Sequence, residues 1–349
     1  MPFAIVIAMQ KMGQVLCGLV LVWAAWATLN NLWVGPLEVY DEGTYAKITQ
    51  ESLARRDFLT FTLYDNLWFE KPPLYFWLAG VATAATGSEV LGIRLPAALF
   101  AIALVVLTMF VAYRASLNSY VAALAGVLLV LTPPFIAGAR EARLDILAAF
   151  FIMLALWAAL DKKYVWFGTA VALAVLSKSI IAVFAAAALP LVSLWSGDWG
   201  WIQNRRFWLG VGVSLCILAP WHIYEWALWG TEFWRQYVVH HVLMRYETNL
   251  FLSPDLQTNY LARLSEQTKL TLSAFFVSIL TVPLYIRGLG TKERVLPLAA
   301  LCLVLFMVGV FFTAQTRALS YLLPIYPVVA LFVSLSLWHM HRVVYKSGE

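Results

Sequence analysis

Pro72-Pro73-Leu74-Tyr75-Phe76-Trp77-Leu78-Ala79-Gly80-Val81-Ala82-Thr83-Ala84-Ala85-Thr86-Gly87 is the stretch on which the reading of this chain turns. It is apolar enough to enter a membrane and short enough not to cross one. A helix from Leu74 to Gly87 covers only about 21 Å, against roughly 30 Å of hydrocarbon. Two prolines stand directly before it, where a helix cannot run on from upstream. Whether it spans fixes the side on which every later loop lies.

Ten other apolar runs are long enough to cross, near 12–34, 94–113, 119–138, 144–160, 164–177, 180–196, 207–228, 269–286, 295–313 and 319–340. The run 164–177 is short, but a tilt reaches Lys178. If 74–87 does not span and the N-terminus is cytoplasmic, the inner connections carry eleven basic residues. These are Lys11, Arg114, Lys162, Lys163, Arg205, Arg206, Arg287, Lys292, Arg294, Arg342 and Lys346. The short outer turns then carry five: Arg94, Arg140, Arg143, Lys178 and Arg317. If it spans, ten of the eleven move outside. The positive-inside rule therefore predicts ten spans with both termini cytoplasmic.

Composition agrees with that class. Of 349 residues, 62% are hydrophobic and 12% charged, and the mean hydropathy is +0.78. A soluble domain is about half apolar and a quarter charged. An ordinary soluble enzyme and a nucleic-acid module are excluded despite the net charge of +5. Cys17, Cys216 and Cys302 each lie in an apolar run and suggest neither a disulfide framework nor a metal cluster. The run 12–34 reads as a signal anchor. The expected architecture is an all-α polytopic membrane protein of one domain, 1–349, with two long outer segments at about 35–93 and 229–268 and no separate soluble domain.

In the first outer segment, Glu42–Asp57 is an amphipathic helix candidate. Tyr45, Ile48, Ser52 and Leu53 share one face, and Lys47, Gln50, Glu51 and Arg55 the other. It is expected to lie in the interface. Leu74–Gly87 is a second interfacial or re-entrant helix, which implies a cavity beneath it.

Ionisable residues collect on the outer side: Asp41-Glu42, Glu70-Lys71, Arg140-Glu141-Ala142-Arg143-Leu144-Asp145, Lys178, His240-His241 with Arg245, and Arg317. Glu141 and Asp145, one helical turn apart, equally suit an ordinary polar turn. Lys178 between apolar runs needs a partner or snorkels to the headgroups. The cations of the short outer turns are expected to converge with Lys71 and Arg245 on an anion, most simply a phosphate or pyrophosphate at headgroup depth. Asp41 follows an apolar run and Tyr40, where partial desolvation would raise its pKa toward use as a base. A base beside a phosphate site suggests transfer from a lipid phosphate to a hydroxyl. A lone acid after a span is also commonly structural. Two other readings stand beside this one. A lipid or sugar transporter calls for charges within the spans and a repeated half. A non-catalytic scaffolding protein is the other.

Val39-Tyr40-Asp41-Glu42-Gly43-Thr44-Tyr45-Ala46 and Trp68-Phe69-Glu70-Lys71-Pro72-Pro73-Leu74-Tyr75 resemble the first outer loop of GT-C glycosyltransferases. The nearest branch is the lipid A aminoarabinose transferase and protein O-mannosyltransferase-like group. Ala142-Arg143-Leu144-Asp145, Leu176-Ser177-Lys178, Ala219-Pro220-Trp221, His240-His241 with Arg245, and Ser320–Pro327 follow in the expected order. The resemblance implies two interfacial helices in the first outer loop and inverting transfer of a sugar from a polyprenyl-phosphate donor to a lipid, glycan or protein hydroxyl. It implies a place in a bacterial inner membrane with the site on the outer face. Asp41 matches the catalytic aspartate. Lys71 and Arg245 match residues holding the donor phosphate, with Tyr321 beside it. Lys178 joins those cations and, with Asp145, matches a polar layer next to the site. Glu42, Tyr45, Arg143 and Arg317 are supporting polar groups. Glu70 and His240, with His241 as the alternative, match a divalent, zinc-like metal position, incomplete with two ligands. Thr44 stands where relatives commonly carry Arg, and Ser179 follows Lys178 where Gly is usual. The chain stops about where relatives add further spans and an outer domain, so a short form, a truncation and a subunit all fit.

Overall fold

A computed structural model of the chain describes residues 3–38, 40–244, 260–280, 282–283, 290–313 and 319–346. Helix α1 runs over Phe3–Leu29 and leads into the first long connecting segment. There α2 (Asp41–Arg55) and α3 (Leu74–Thr86) flank a two-stranded antiparallel ribbon that pairs Thr62 with Leu67 and Leu63 with Asn66. Both helices stand where the periodicity and the proline pair put them. One face assignment differs. Glu51 faces inward, because its carboxylate accepts bonds from the Thr62 hydroxyl at 2.6 Å and the Tyr64 amide at 2.9 Å. It ties the ribbon to α2.

The bundle follows as α4 (Glu89–Ser116), α5 (Ser119–Val130), α6 (Pro133–Arg140), α7 (Leu144–Leu160), α8 (Tyr164–Lys178), α9 (Ala182–Ser196) and α10 (Arg205–Trp234). Then come α11 (Tyr260–Ile279), α12 (Thr291–Thr313) and α13 (Ile325–Lys346). Among the described residues, five helical stretches are long and apolar enough to cross a membrane by length and composition, with 164–196 counted as one of them, or six if α5 and α6 count as one bent span. The ten runs of the sequence exceed that number because several are short helices. At 1.5 Å per residue, α7, α8 and α9 cover only about 22–26 Å.

Residues 164–196 form a continuous helical stretch by backbone pattern, yet the chain reverses within it. Lys162 and Asp198, which bracket the stretch, form an ion pair at 2.5 Å. Lys178 in its middle bonds Asp145 at the other end of α7. Two antiparallel passes, turned at Ser179–Ile181, satisfy both contacts, whereas a single straight helix would hold Lys162 and Asp198 about 50 Å apart. Ser179 makes that turn with φ at +23°. α8 lies backbone to backbone on α10, since a Cβ on Gly168 would fall 2.1 Å from the Gly210 carbonyl oxygen.

Two breaks aim the bundle ends. The expected single span over 119–138 is instead bent by 69° between α5 and α6, where Thr132 leaves helical geometry ahead of Pro133-Pro134. Gly230, at φ +54° and ψ −129°, interrupts α10, and beyond it Arg235–Met244 winds as a π-helix carrying His240 and His241.

Candidate active site

The site is organised by a buried ion pair next to it. Glu42, 1% exposed, receives Arg94 through both oxygens, Nε to Oε1 at 3.0 Å and Nη2 to Oε2 at 2.9 Å. The Glu38 amide adds a bond to Oε2 at 3.0 Å and the Ala142 amide one to Oε1 at 2.9 Å. The remaining Arg94 hydrogens go to the carbonyls of Leu32, Val34 and Pro36. Burial alone would raise the Glu42 carboxyl. The Arg94 hydrogen bonds, with the two amides, outweigh it and hold the group below the usual carboxylate range. One carboxylate thus ties together the exit of α1, the start of α2, α4 and the turn before α7.

That knot sets the neighbouring residues face to face. Asp41 precedes Glu42 and Arg143 follows Ala142, and Arg143 Nη1 donates to Asp41 Oδ2 at 2.7 Å. Arg143 Nε donates to Glu141 Oε2 at 2.7 Å, and its Nη2 lies 3.6 Å from Glu38. Burial opposes charge on this guanidinium, but Glu141 and Asp41 more than offset it and raise its pKa. Burial pushes the Glu141 carboxyl up even beside Arg143. Asp41 departs from the expected desolvation. Its side chain is 49% exposed and ion-paired, because it opens the first turn of α2 at the surface. An acid there is favoured by the helix N-terminus.

The second group lies at the α8 turn. Lys178 Nζ donates to Asp145 Oδ1 at 2.6 Å and sits 4.7 Å from the centre of the Tyr321 ring. Lys178 is therefore partnered and does not snorkel to the headgroups. The third group is Glu70, whose Oε1 accepts from Lys71 Nζ and lies 3.8 Å from His241 Nδ1. Phe69 holds this corner by packing on Phe233 and Trp229. Tyr45 links the three groups. Burial raises its hydroxyl pKa well above the ordinary value, and the charges of Asp41, Glu70 and Asp145 add to the rise.

Asp41, Glu42, Tyr45, Glu70, Lys71, Arg143, Asp145, Lys178, His241 and Tyr321 thus stand in one neighbourhood. Arg245 and Arg317 lie outside the described residues. Two cations of the short outer turns do not join an anion site. Arg94 is spent on Glu42, and Arg140 donates to the Ala27 carbonyl at 2.9 Å, closing the end of α1. At the expected metal position, Glu70 Oε1 and His241 Nδ1 lie 3.8 Å apart. Among the described residues no three His, Cys, Asp or Glu come together as ligands. Glu70 is already paired with Lys71, and His241, not His240, faces it; His240 is exposed.

The sequence reading missed Glu225. It is fully buried in α10 and accepts from the Thr60 hydroxyl at 3.1 and 3.2 Å, while Trp221 Nε1 donates to the Leu59 carbonyl at 3.0 Å. These bonds clamp the segment leading to Glu70 onto α10. A carboxylate inside the apolar run between Trp221 and Trp226 was the available signal.

The described residues thus form a helical bundle with a half-exposed carboxylate, Asp41, and partnered cations gathered at one end. Residues 70–224 match the model of the dolichyl-phosphate-mannose-protein mannosyltransferase family. The undecaprenyl phosphate-alpha-4-amino-4-deoxy-L-arabinose arabinosyl transferase 2 of Pseudomonas fluorescens is 29% identical over 229 residues, 60% of this chain and 38% of that protein. The corresponding transferase of Pseudomonas paraeruginosa is 29% identical over 227 residues, 60% of this chain and 40% of its own length. The chain thus spans about two fifths of the length of these relatives. In fold it is similar to ArnT from Cupriavidus metallidurans bound to undecaprenyl phosphate, with a TM-score of 0.72, 21% identity, and 97% of this chain and 60% of that one covered. The Archaeoglobus fulgidus oligosaccharyltransferase is more distant, at a TM-score of 0.57 and 13% identity over 96% of this chain and 52% of that one.

Proposed function

We propose that the chain is an inverting glycosyltransferase that moves a sugar from a polyprenyl-phosphate donor to a hydroxyl of a lipid, glycan or protein. The observation that carries the reading is Asp41, half exposed and held by Arg143, in the same neighbourhood as the Lys178–Asp145–Tyr321 group. As the anomeric bond breaks, negative charge grows on the departing phosphate. Fixed ammonium groups at Lys178 and Lys71 stabilise that charge more in the transition state than before it. Arg245 joins them in this reading on sequence grounds. A phosphate needs no general acid in order to leave. One carboxylate, Asp41, orients the acceptor hydroxyl and takes its proton as oxygen attacks the anomeric carbon from the opposite face, which inverts it. Arg143 keeps that carboxylate aimed.

The site is proposed to face the outer side of a bacterial inner membrane, with both termini cytoplasmic, on the charge bias of the loops. No step is routed through a metal. The test is incubation of the purified protein with a polyprenyl-phosphate sugar and candidate acceptors. Release of polyprenyl phosphate with a product of inverted anomeric configuration by NMR is expected. A retained configuration, or no release with any hydroxyl acceptor, contradicts the proposal.

A further inference from the structure

A cavity of about 580 Å³ opens at the other end of the bundle from Asp41. Arg94, in the site knot, and Arg114, on the cavity, stand at opposite ends of α4, about 30 Å apart at 1.5 Å per residue. The volume lies within the usual range of small-molecule sites. Its floor is apolar, with Val111, Leu160, Leu189 and Leu296 among the lining residues.

The mouth carries two ion pairs of opposite sense. Arg114 Nη2 reaches Asp161 at 3.1 and 3.3 Å, and Lys162 Nζ reaches Asp198 at 2.5 Å. All four residues line the cavity. The set is neutral, with two cations and two carboxylates. The pairs are at least partly exposed, with side-chain exposures of 51% and 24% in the first and 64% and 40% in the second. Exposed pairs contribute little to stability, so a ligand that opens them pays a small cost.

The surroundings set the depth. Trp201 lines the cavity and continues through ring contacts to Trp199 on one side and to Phe207 and Trp208 on the other. Trp199 and Trp208 are about half exposed, and Arg205 and Arg206 beside them are exposed. Tryptophans and basic residues together mark the headgroup level of a bilayer.

We propose that this cavity binds one phospholipid with a zwitterionic phosphoethanolamine headgroup. Its phosphate takes Arg114 and Lys162, its ammonium takes Asp161 and Asp198, and an acyl chain fills the apolar floor. A zwitterion exchanges each protein pair for an equivalent pair and leaves the mouth neutral. A purely anionic headgroup leaves both carboxylates facing its phosphate.

The full chain, purified in detergent and stripped of lipid, is titrated with dihexanoyl phosphatidylethanolamine, dihexanoyl phosphatidylglycerol and glycerophosphoethanolamine, with bound lipid read by native mass spectrometry. The expected result is one phosphatidylethanolamine retained at least tenfold more tightly than phosphatidylglycerol, with the chain-free headgroup weaker still. Ala115→Trp, at an exposed position on the cavity wall, is expected to reduce retention at least tenfold. The double variant Asp161→Asn with Asp198→Asn leaves two uncompensated cations and is expected to reverse the preference toward phosphatidylglycerol. Equal retention of both lipids by the unaltered chain, or a preference that the double variant leaves unchanged, overturns the proposal.

Discussion

Arg143 Nη1 stands 2.7 Å from Asp41 Oδ2, although 102 positions separate the two residues in the chain. The contact is set one residue away on each side, where the Ala142 amide bonds Glu42. The cation gripping the proposed base is therefore positioned by the fold itself. Replacing Arg143 with Gln removes the grip on Asp41 and leaves Glu141 and Glu38 as unopposed neighbours. Transfer is expected to fall by about a hundredfold through misplacement of the carboxylate, with donor affinity changed far less. Steady-state kinetics with the donor varied checks the split between kcat and KM.

Glu42→Gln tests the knot behind the site. Breaking a buried pair typically costs about 3–5 kcal/mol, so a clear drop in Tm in detergent is expected at neutral pH. The folded-state pKa of Glu42 lies below its ordinary value, so its stabilising contribution is complete near neutrality. It is lost as pH falls through the depressed pKa. The Tm gap between the unaltered chain and the variant is therefore expected to hold at pH 6–7 and to close below about pH 4. A gap that widens on acidification contradicts this.

Lys178 and Tyr321 separate charge from shape. Lys178→Met is expected to weaken binding of a polyprenyl phosphate at least tenfold. Tyr321→Leu removes a cation–π contact worth about 0.5–1 kcal/mol, a roughly two- to fivefold loss. Tyr321→Phe keeps the ring and is expected to bind as the unaltered chain does. Titration with a short-chain polyprenyl phosphate distinguishes the three.

Ser179 turns the chain after Lys178 at φ +23°, a conformation that costs a side chain about 1–3 kcal/mol. Ser179→Gly is expected to raise Tm by a few degrees and to leave transfer intact. An unchanged or lower Tm shows that the serine is not strained there.

Much of this was legible in the chain. The proline pair and the short apolar run placed α3, the periodicity placed α2, and the motifs named Asp41, Lys71, Asp145 and Lys178. What sequence could not separate was two kinds of arginine. Arg94 and Arg143 look alike beside apolar runs. One is consumed by Glu42 and three backbone carbonyls, while the other faces Asp41. Partners so far away in sequence leave no local pattern. The same holds for Glu225, which reads as a stray acid until Thr60 closes on it from 165 residues away. The fold-back at Ser179 was read correctly because Lys178 interrupts the apolar runs. The bend at Thr132 was hidden because Pro133-Pro134 also suits a straight span's end.

The role of Asp41 is the central claim, and single-turnover transfer by Asp41→Asn is its most direct test. With donor binding measured in parallel, the account predicts a loss of at least a thousandfold in the transfer rate while polyprenyl-phosphate affinity stays within about threefold. Transfer within tenfold of the unaltered chain contradicts it, since the hydroxyl would then be activated by another group.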